Sequence, residues 1–345
     1  TALCTVNCTL ETSFISIWRT TTNNETITLP LRDGFDYNFN VDWGDGSVSN
    51  LVTSHDDPDA THTYVLAGEH TITISGLMET IYFNDAGDKN KIISILNLGD
   101  VGWTSFQGAF KGCLNLESVA GGVTSEVTNM AYMFYGASLA NPDTSNWVTS
   151  NVTSIASMFR NATSANPDTS GWNTSNMTQM GSVFAGAPSA TPNTSGWDTS
   201  KVKKMELMFD GASSATPDTS DWDTSQVTTM WRMFSNATLA TPDTSGWDTS
   251  NVRSMAMMFF GAAAANPDTI NWDTSRVTSM GSLFDGSGIS TTNYSAFLIQ
   301  VEATNPNDGV SLGADGITYD GTAVDARQRL IDDHGWTIVD GGLEE

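Results

Sequence analysis

Large apolar residues recur at fixed positions in the middle of this 345-residue chain, with a period of 25 residues from 126 to 284. Tryptophan, phenylalanine, methionine and valine each keep their own column, and no insertion disturbs the spacing. The two aromatic columns are Trp147, Trp172, Trp197, Trp222, Trp247 and Trp272, and Phe134, Phe159, Phe184, Phe209, Phe234, Phe259 and Phe284. A fixed period of this length is typical of proteins whose repeats stack on one another. The pattern therefore predicts that these columns form a shared core.

The spacing inside one repeat predicts a short helix. Val152, Ile155 and Met158 recur every three residues, which places them on one side of a helical turn. Residues 149–151 offer side-chain oxygens that can cap its first amides, and Gly or Asn follows its end. The segment at 143–147 is compatible with a strand. We therefore predict a β-rich α/β solenoid of leucine-rich-repeat-like coils, each with one short parallel strand and one short helix.

Alternating apolar and polar residues before the repeats predict a β-sandwich. Residues 37–43 alternate most clearly, as expected for a strand with one buried face. The predicted strands are 14–20, 25–29, 37–43, 61–65 and 69–75, with Asn-, Asp- and Gly-rich turns between them. The predicted domains are a sandwich at 1–83, a connector and N-terminal cap coil at 84–125, the repeats at 126–284 and a C-terminal cap at 285–345. In the last domain we expect a helix at 323–333 and a strand at 336–339.

Charge and composition limit the function. A net charge of −25, from 39 acidic and 14 basic residues, argues against nucleic acid as a partner, because phosphate binding needs clustered Lys and Arg. No apolar run is long enough to span a membrane. The repeats lack His and Cys, and a repeated carboxylate column is not an acid/base pair with distinct pKa values, so we expect no enzyme. A chain starting at Thr1 suggests removal of a leader.

The cysteines bear on the compartment. Cys4 and Cys8 are close enough to form a disulfide, which would fit an oxidising environment, and the alternative is two reduced thiols. Cys113 stands between apolar neighbours and is expected in the core.

Two columns of aspartate are candidate binding residues. The first comprises Asp143, Asp168, Asp218, Asp243 and Asp268, with Asn193 in one place, and the second comprises Asp198, Asp223, Asp248 and Asp273. Carboxylates at this spacing repel each other unless water, salt or cations intervene. In one interpretation each Asp accepts hydrogen bonds within its own turn. In the other, neighbouring coils share Ca²⁺, with the second column as the metal ligands. The lack of a glycine-rich calcium loop favours the first.

A threonine column runs beside the first aspartate column and is also a candidate ligand-binding surface. It comprises Thr144, Thr169, Thr194, Thr219, Thr244 and Thr269. A flat, regular row of hydroxyls could match a polysaccharide or ice. The alternative is that threonine simply suits strands and caps.

The repeat motif resembles a known group. The sequence Gly-Trp-Asp-Thr-Ser-Asn-Val-Arg-Ser-Met-Ala-Met-Met-Phe at 246–259 resembles the repeats of BspA-like leucine-rich-repeat surface proteins of bacteria, and the resemblance extends over residues 103–284. It implies a secreted or cell-surface location, a right-handed solenoid and attachment to host molecules, cells or surfaces. One departure is that small residues and Asn/Thr-Pro-Asp stand where the group often has Phe-Asn-Gln-Asp.

The N-terminal part carries a second resemblance. Val-Asp-Trp-Gly-Asp-Gly-Ser at 41–47, with the later strands, resembles the PKD (polycystic-kidney-disease) type of immunoglobulin-like domain. This implies a non-catalytic spacer or adhesion module. The aspartates at 42 and 45 are expected to be turn residues rather than metal ligands.

These observations predict a non-enzymatic extracellular or cell-surface protein for adhesion or ligand binding. Its expected partner is a host or microbial surface protein or a polysaccharide. The alternative is a self-associating subunit of a surface layer or filament, and ice binding is a third hypothesis.

Overall fold

Short strands make up most of the regular secondary structure in this computed structural model, which describes residues 12–48, 50–304 and 306–344. Two α-helices of 13 and 9 residues lie after the repeats. The elements are β1 (Phe14–Thr20), β2 (Glu25–Thr28), β3 (Tyr37–Asp42), β4 (Asn50–Val52), β5 (Thr61–Tyr64), β6 (Gly68–Met78), β7 (Ile92–Asn97), β8 (Ser118–Val119), β9 (Asn141–Pro142), α1 (Thr291–Ala303), β10 (Ser311–Tyr319), α2 (Val324–Asp332) and β11 (Thr337–Leu343).

One seven-stranded sheet joins the N-terminal strands to the first repeats. Its order is β4-β3-β6-β1-β7-β8-β9. Pairing is antiparallel from β4 to β7 and parallel from β7 to β9. Strands β2 and β5 form a second sheet, which Tyr64 ties to the first by donating its hydroxyl to the carbonyl of Trp43 over 2.8 Å. The N-terminal strands and the first repeats therefore share a continuous sheet.

The alternating pattern predicts this part of the fold well. The five strands expected from sequence correspond to β1, β2, β3, β5 and β6 and are confirmed. In β3 the side chains of Tyr37, Phe39 and Val41 are buried and their neighbours are exposed. Strand β4 is not predicted, because three residues carry too little alternation to be recognised.

The chain forms two compact units, Thr1–Trp172 and Asn173–Glu345. The first contains the seven-stranded sheet and the first repeats. The second contains the other repeats, both α-helices and the small parallel sheet of β10 and β11. The division between the units falls inside the repeated region.

The repeats contain no α-helix among the described residues, so the predicted solenoid with a helix in every coil is wrong. Each repeat is instead a succession of tight turns, in which an amide donates to the carbonyl three residues earlier. The pairs in one repeat are Trp222 to Thr219, Val227 to Thr224, Met233 to Met230 and Ala237 to Phe234. Single residues form parallel bridges between repeats, such as Lys204 with Thr229.

A residue with positive φ in each repeat explains the missing helix. Leu207, Arg232 and Met257, which occupy the same position in successive repeats, have φ of 56°, 55° and 56°. A right-handed helix cannot continue through a left-handed residue. The amide of Leu207 donates instead to the carbonyl of Trp231 in the next repeat, over 2.9 Å. The predicted left-handed ending at Gly or Asn is confirmed, for example at Gly211 with φ of 71°.

Stacked rings fill the core of each unit. No tryptophan of the column is more than 4% exposed, which confirms that the column is buried. In the second unit, the ring of Phe234 lies 5.6 Å from that of Phe209 and 5.7 Å from that of Phe259, with nearly parallel planes. Stacked aromatic rings at this separation attract each other beyond their loss of exposed area. Identical positions in successive repeats therefore contact one another directly.

Helix α1 covers the last repeat of the second unit. The ring of Phe297 meets Phe284 and Trp272 edge to face, with centroids 5.1 and 6.3 Å apart. The helix expected at 323–333 and the strand expected at 336–339 correspond to α2 and β11. Helix α1 and strand β10 are not predicted by the sequence pattern.

The left-handed position can be tested with two glycines. An added Cβ at Gly211 would meet only Gly186, at 3.7 Å, whereas Gly196 has open space and no positive φ. We expect Gly211→Ala to lower the free energy of unfolding by about 1–2 kcal/mol. Gly196→Ala should leave it unchanged or raise it by about 0.5 kcal/mol. Urea unfolding measures both, and equal effects would contradict a left-handed Gly211.

Candidate functional site

A buried ladder of threonine hydroxyls connects successive repeats. The hydroxyl of Thr219 donates to the carbonyl of Asp243, one repeat further along, over 2.7 Å. The same bond is made by Thr144, Thr194 and Thr244 and, in the neighbouring column, by Thr174, Thr199, Thr224 and Thr249. Each hydroxyl therefore supplies a hydrogen-bond donor to a backbone carbonyl of the next repeat. The ladder therefore holds the turns of neighbouring repeats in register.

The threonines proposed as ligand-binding residues belong to this buried column. Thr144, Thr169, Thr194, Thr219, Thr244 and Thr269 are at most 1% exposed. The expected flat hydroxyl surface is therefore wrong for this column. The physical reason is that each threonine alternates with exposed Asp and Ser, so its own side chain points into the repeat. The ice-binding hypothesis needs exposed threonine hydroxyls, and this column does not provide them.

The first aspartate column is exposed and closes local turns. The carboxylate of Asp218 accepts hydrogen bonds from the amide and the hydroxyl of Ser220, over 3.1 and 2.7 Å. Serine partners occur likewise at Asp143, Asp168 and Asp243, and Asp268 accepts from the amide of Ile270. This is the local bonding typical of Asx turns. The contacts support the structural interpretation of this column.

The second aspartate column makes similar turns. Asp198 accepts from the amide and hydroxyl of Ser200, and the amides of the following serines donate to Asp223, Asp248 and Asp273. In the part of the chain that the structure describes, no group of three or more His, Cys, Asp or Glu side chains could hold a metal ion. The arrangement of this column gives no support to Ca²⁺ binding.

Serine hydrogen bonds hold the pKa of these carboxyls below the ordinary value. For Asp143 and Asp218 the serine hydroxyl is the largest cause and the backbone amide the next. A neighbouring carboxylate raises the pKa of each, but this is the smallest cause. The pKa values of Asp168, Asp198, Asp243 and Asp248 are lowered for the same reasons. Local hydrogen bonds therefore outweigh the repulsion between repeats.

These lowered pKa values predict a loss of stability in acid. A carboxyl whose pKa is lower in the folded state contributes stability above its unfolded value of 3.8, and this contribution disappears as the pH falls through the folded pKa. We expect the melting temperature to fall between about pH 5 and about pH 3.

The chain supplies a matched control for this titration. Asn193 already accepts the same two bonds from Ser195, over 3.2 and 2.8 Å, without a charge. The variant Asp218→Asn/Asp243→Asn should therefore fold, start from a slightly lower melting temperature at neutral pH because the charge is gone, and lose less of it in acid. An acid response identical to that of the wild type would contradict a role for these carboxyls.

Comparison of the repeats shows a set of neighbouring positions that change from repeat to repeat. Five positions between the buried Val or Met and the left-handed Gly or Asn form what we call the variable face. Its columns are Thr128, Thr153, Thr178, Lys203, Thr228, Arg253 and Thr278; Asn129, Ser154, Gln179, Lys204, Thr229, Ser254 and Ser279; Ala131, Ala156, Gly181, Glu206, Trp231, Ala256 and Gly281; Tyr132, Ser157, Ser182, Leu207, Arg232, Met257 and Ser282; and Tyr135, Arg160, Ala185, Asp210, Ser235, Phe260 and Asp285. Residue size in the third column ranges from Gly to Trp. The buried and turn-forming columns vary much less.

The most cationic part of the variable face lies in the second unit. The amide of Thr228 donates to the carbonyl of Lys203, and that of Arg253 to Thr228, both over 2.9 Å, so these residues occupy successive steps. Trp231 is 38% exposed, and the guanidinium of Arg232 lies 5.7 Å from its ring centroid. A large ring and several cations therefore share this surface.

The first unit carries an aromatic group at the same columns. Tyr132 is 42% exposed, and its ring centroid lies 6.1 Å from that of Tyr135. The ammonium of Lys111 lies 5.9 and 5.6 Å from these two rings, and Arg160 lies 5.8 Å from Tyr135. Such cation–ring contacts are attractive and leave aromatic surface available to a ligand.

Sequence reasoning overlooked the variable face because it followed the columns that stay the same. The signal that could have revealed it is the opposite one, namely columns whose residue type changes between otherwise similar repeats.

The remaining predicted residues lie elsewhere. Cys4 and Cys8 lie outside the described residues. Cys113 is buried in the core as predicted, and burial raises the pKa of its thiol. Asp42 and Asp45 accept hydrogen bonds from amides two residues on, which confirms their role in turns. The side chain of Asp45 also contacts His62 over 2.7 Å.

These features define a class of protein in which stacked repeats keep the same buried columns and differ at other positions. The family model described as "Mycoplasma protein of unknown function, DUF285" matches residues 104–221 and 212–303, which together make up more than half of the chain. The chain belongs to the DUF285 family. No curated protein and no solved structure matches it. Within the described residues, none of the helices has the length and apolar character needed to cross a membrane.

Proposed function

We propose that this protein is a non-enzymatic adhesion or ligand-binding protein of the cell surface or extracellular space, and that its ligand contacts the variable face. One observation carries the proposal: columns that bond or pack between repeats stay nearly constant, while the columns of the variable face change in size and charge. Their exposed members include Tyr132, Lys203, Lys204, Trp231 and Arg253. A constant scaffold with a changing surface can present one specific combination of side chains. The partner is a host or microbial surface protein or a polysaccharide.

Two resemblances support this location and role. The repeats resemble those of BspA-like surface proteins, and residues 41–47 resemble the PKD type of immunoglobulin-like domain. Both groups imply extracellular chains and attachment rather than catalysis. The high negative charge also favours a dispersed protein in solution.

The experiment replaces large residues of the variable face with the small residues that other repeats carry at the same columns. Serine occupies the left-handed column in three repeats (157, 182 and 282), and Ala occupies the column of Trp231 in three (131, 156 and 256). The variant Tyr132→Ser/Leu207→Ser/Arg232→Ser/Met257→Ser/Trp231→Ala should therefore fold with little loss of melting temperature. We call it the levelled variant. Wild type and levelled variant are compared on arrays of glycans and of host and microbial surface proteins.

Loss of binding in the levelled variant is the expected result. A control variant, Asp221→Gly/Ile270→Ser, changes exposed residues outside the variable face to types found at the same positions in other repeats, and should bind as the wild type does. Undiminished binding by the levelled variant, or no ligand for the wild type, would contradict the proposal.

Self-association is a second candidate, and the edge of β11 favours it. β11 pairs with β10 on one side and has no strand partner on the other among the described residues. Val339 and Leu343 on this strand are 54% and 51% exposed. Exposed apolar edge strands can pair with a second copy. Light scattering of the pure protein tests this, and a monomer at all concentrations would remove it.

A further inference from the structure

The cations of the second unit are concentrated on one part of a strongly acidic chain. The unit has eight Lys and Arg residues, of which six lie in or directly beside the variable face of four neighbouring repeats: Lys201, Lys203, Lys204, Arg232, Arg253 and Arg276. Most acidic residues of these repeats lie instead in the Asp-Thr-Ser turns. The local charge of this surface is therefore opposite to that of the whole protein.

Most of these cations are available to a ligand. Lys203, Lys204 and Arg253 are exposed, and none of the salt bridges between described residues involves them. Arg232 pairs with Asp210 over 3.1 Å, and this pair lies beside Trp231. The acidic residues of the face in this region are Glu206 and Asp210, and the patch keeps an excess of positive charge.

Trp231 gives this patch a second feature. It stands in a column that otherwise holds Ala, Gly and Glu, so the flat indole rises above its neighbours. Indole rings stack on the apolar faces of sugar rings, and the adjacent cations suit carboxylate or sulfate groups. Adjacent repeats pair like parallel strands, about 4.8 Å apart. Lys203 and Arg253 are two repeats apart, so their backbones lie about 10 Å from each other, a spacing that suits a linear ligand with repeated charges.

We propose that the surface formed by Lys203, Lys204, Trp231, Arg232 and Arg253 binds an anionic polysaccharide. This inference rests on the proposed function and names the ligand class for the second unit. Nucleic acid fits less well, because proteins that bind single strands stack successive bases on several aromatic rings, and Trp231 is the single aromatic ring among these five residues. An acidic peptide lacks the flat ring faces that would use the indole.

The test measures binding of the full chain to four probes by biolayer interferometry. Heparin is the sulfated polysaccharide, polygalacturonate the carboxylated one, and polyglutamate and single-stranded DNA are the competing polyanions. We expect heparin or polygalacturonate to bind most tightly and to lose affinity as salt rises. The variants Lys203→Thr/Lys204→Thr and Trp231→Ala, whose new residues occur at the same columns in other repeats, should each bind at least about tenfold more weakly.

The control is Arg329→Gln, which removes an exposed cation of α2 that pairs with Glu302, outside the face. It should bind like the wild type. Tighter binding of polyglutamate or DNA, no binding of either polysaccharide, or unchanged affinity in the two face variants would each overturn the inference. Failure of this inference is distinguishable from failure of the proposed function. If the arrays give another ligand whose binding is lost in the levelled variant, the proposed function stands and the inference about polysaccharide does not.

Discussion

Replacing Phe234 with alanine is expected to lower the free energy of unfolding by about 3–5 kcal/mol. The ring is fully buried and lies between those of Phe209 and Phe259. Its removal takes away apolar burial and two stacked contacts and leaves a cavity between repeats that cannot slide together, because their backbones are held by hydrogen bonds. Urea or thermal unfolding followed by tryptophan fluorescence measures the change.

Trp231→Ala is the matched control, since it removes a larger ring only three residues away. That ring is partly exposed and contacts Arg232, so the expected loss is at most about 1 kcal/mol. Similar losses for the two variants would contradict the stacked core. A negligible loss for Phe234→Ala would do so more directly.

The second large effect is expected at the threonine ladder. Thr219→Val keeps the shape of the side chain and removes the hydroxyl that donates to Asp243. The carbonyl of Asp243 then loses a buried donor, and the free energy of unfolding should fall by about 1–3 kcal/mol. The same measurement of urea unfolding applies.

Thr269→Val is the control that the chain itself supplies. Thr269 occupies the same column and is buried, but its hydroxyl has no hydrogen-bond partner among the described residues. Removing an unpaired buried hydroxyl should be neutral or raise stability by up to about 1 kcal/mol. If both valine variants lost the same stability, the effect would come from the shape of the side chain and not from the ladder.

The periodic sequence predicts the core of this fold but not its backbone. The Trp and Phe columns must lie inside, because so many large rings at one spacing can only be buried by stacking. The same spacing also predicts a helix, and this prediction is wrong because Leu207 and its equivalents adopt positive φ. The residue types in that column, which include Leu, Arg and Met, do not indicate a left-handed conformation.

Helix α1, in contrast, could have been recognised from the sequence. Ser290 caps it, and Tyr294, Phe297 and Val301 follow at helical spacing on the buried side.

The candidate site is also only partly predictable from the sequence. The hydrogen bonds of Asp218 agree with the turn interpretation, one of the two that the sequence left open for this column, because Asp before Thr-Ser bonds locally. The burial of Thr219 could not be read from sequence, since threonine is equally suited to either side of a turn. The variable face required a comparison between repeats, and its geometry required the positions of Lys203, Trp231 and Arg253 on adjoining steps.

Hydrogen–deuterium exchange of the full chain with its tightest array ligand tests the division between scaffold and variable face most directly. Protection is expected in peptides that contain the variable face, such as residues 203–210 and 228–235. The Asp-Thr-Ser turns at 218–225 and 243–250 should exchange as they do in the free protein. Protection confined to those turns, with none on the variable face, would contradict the account.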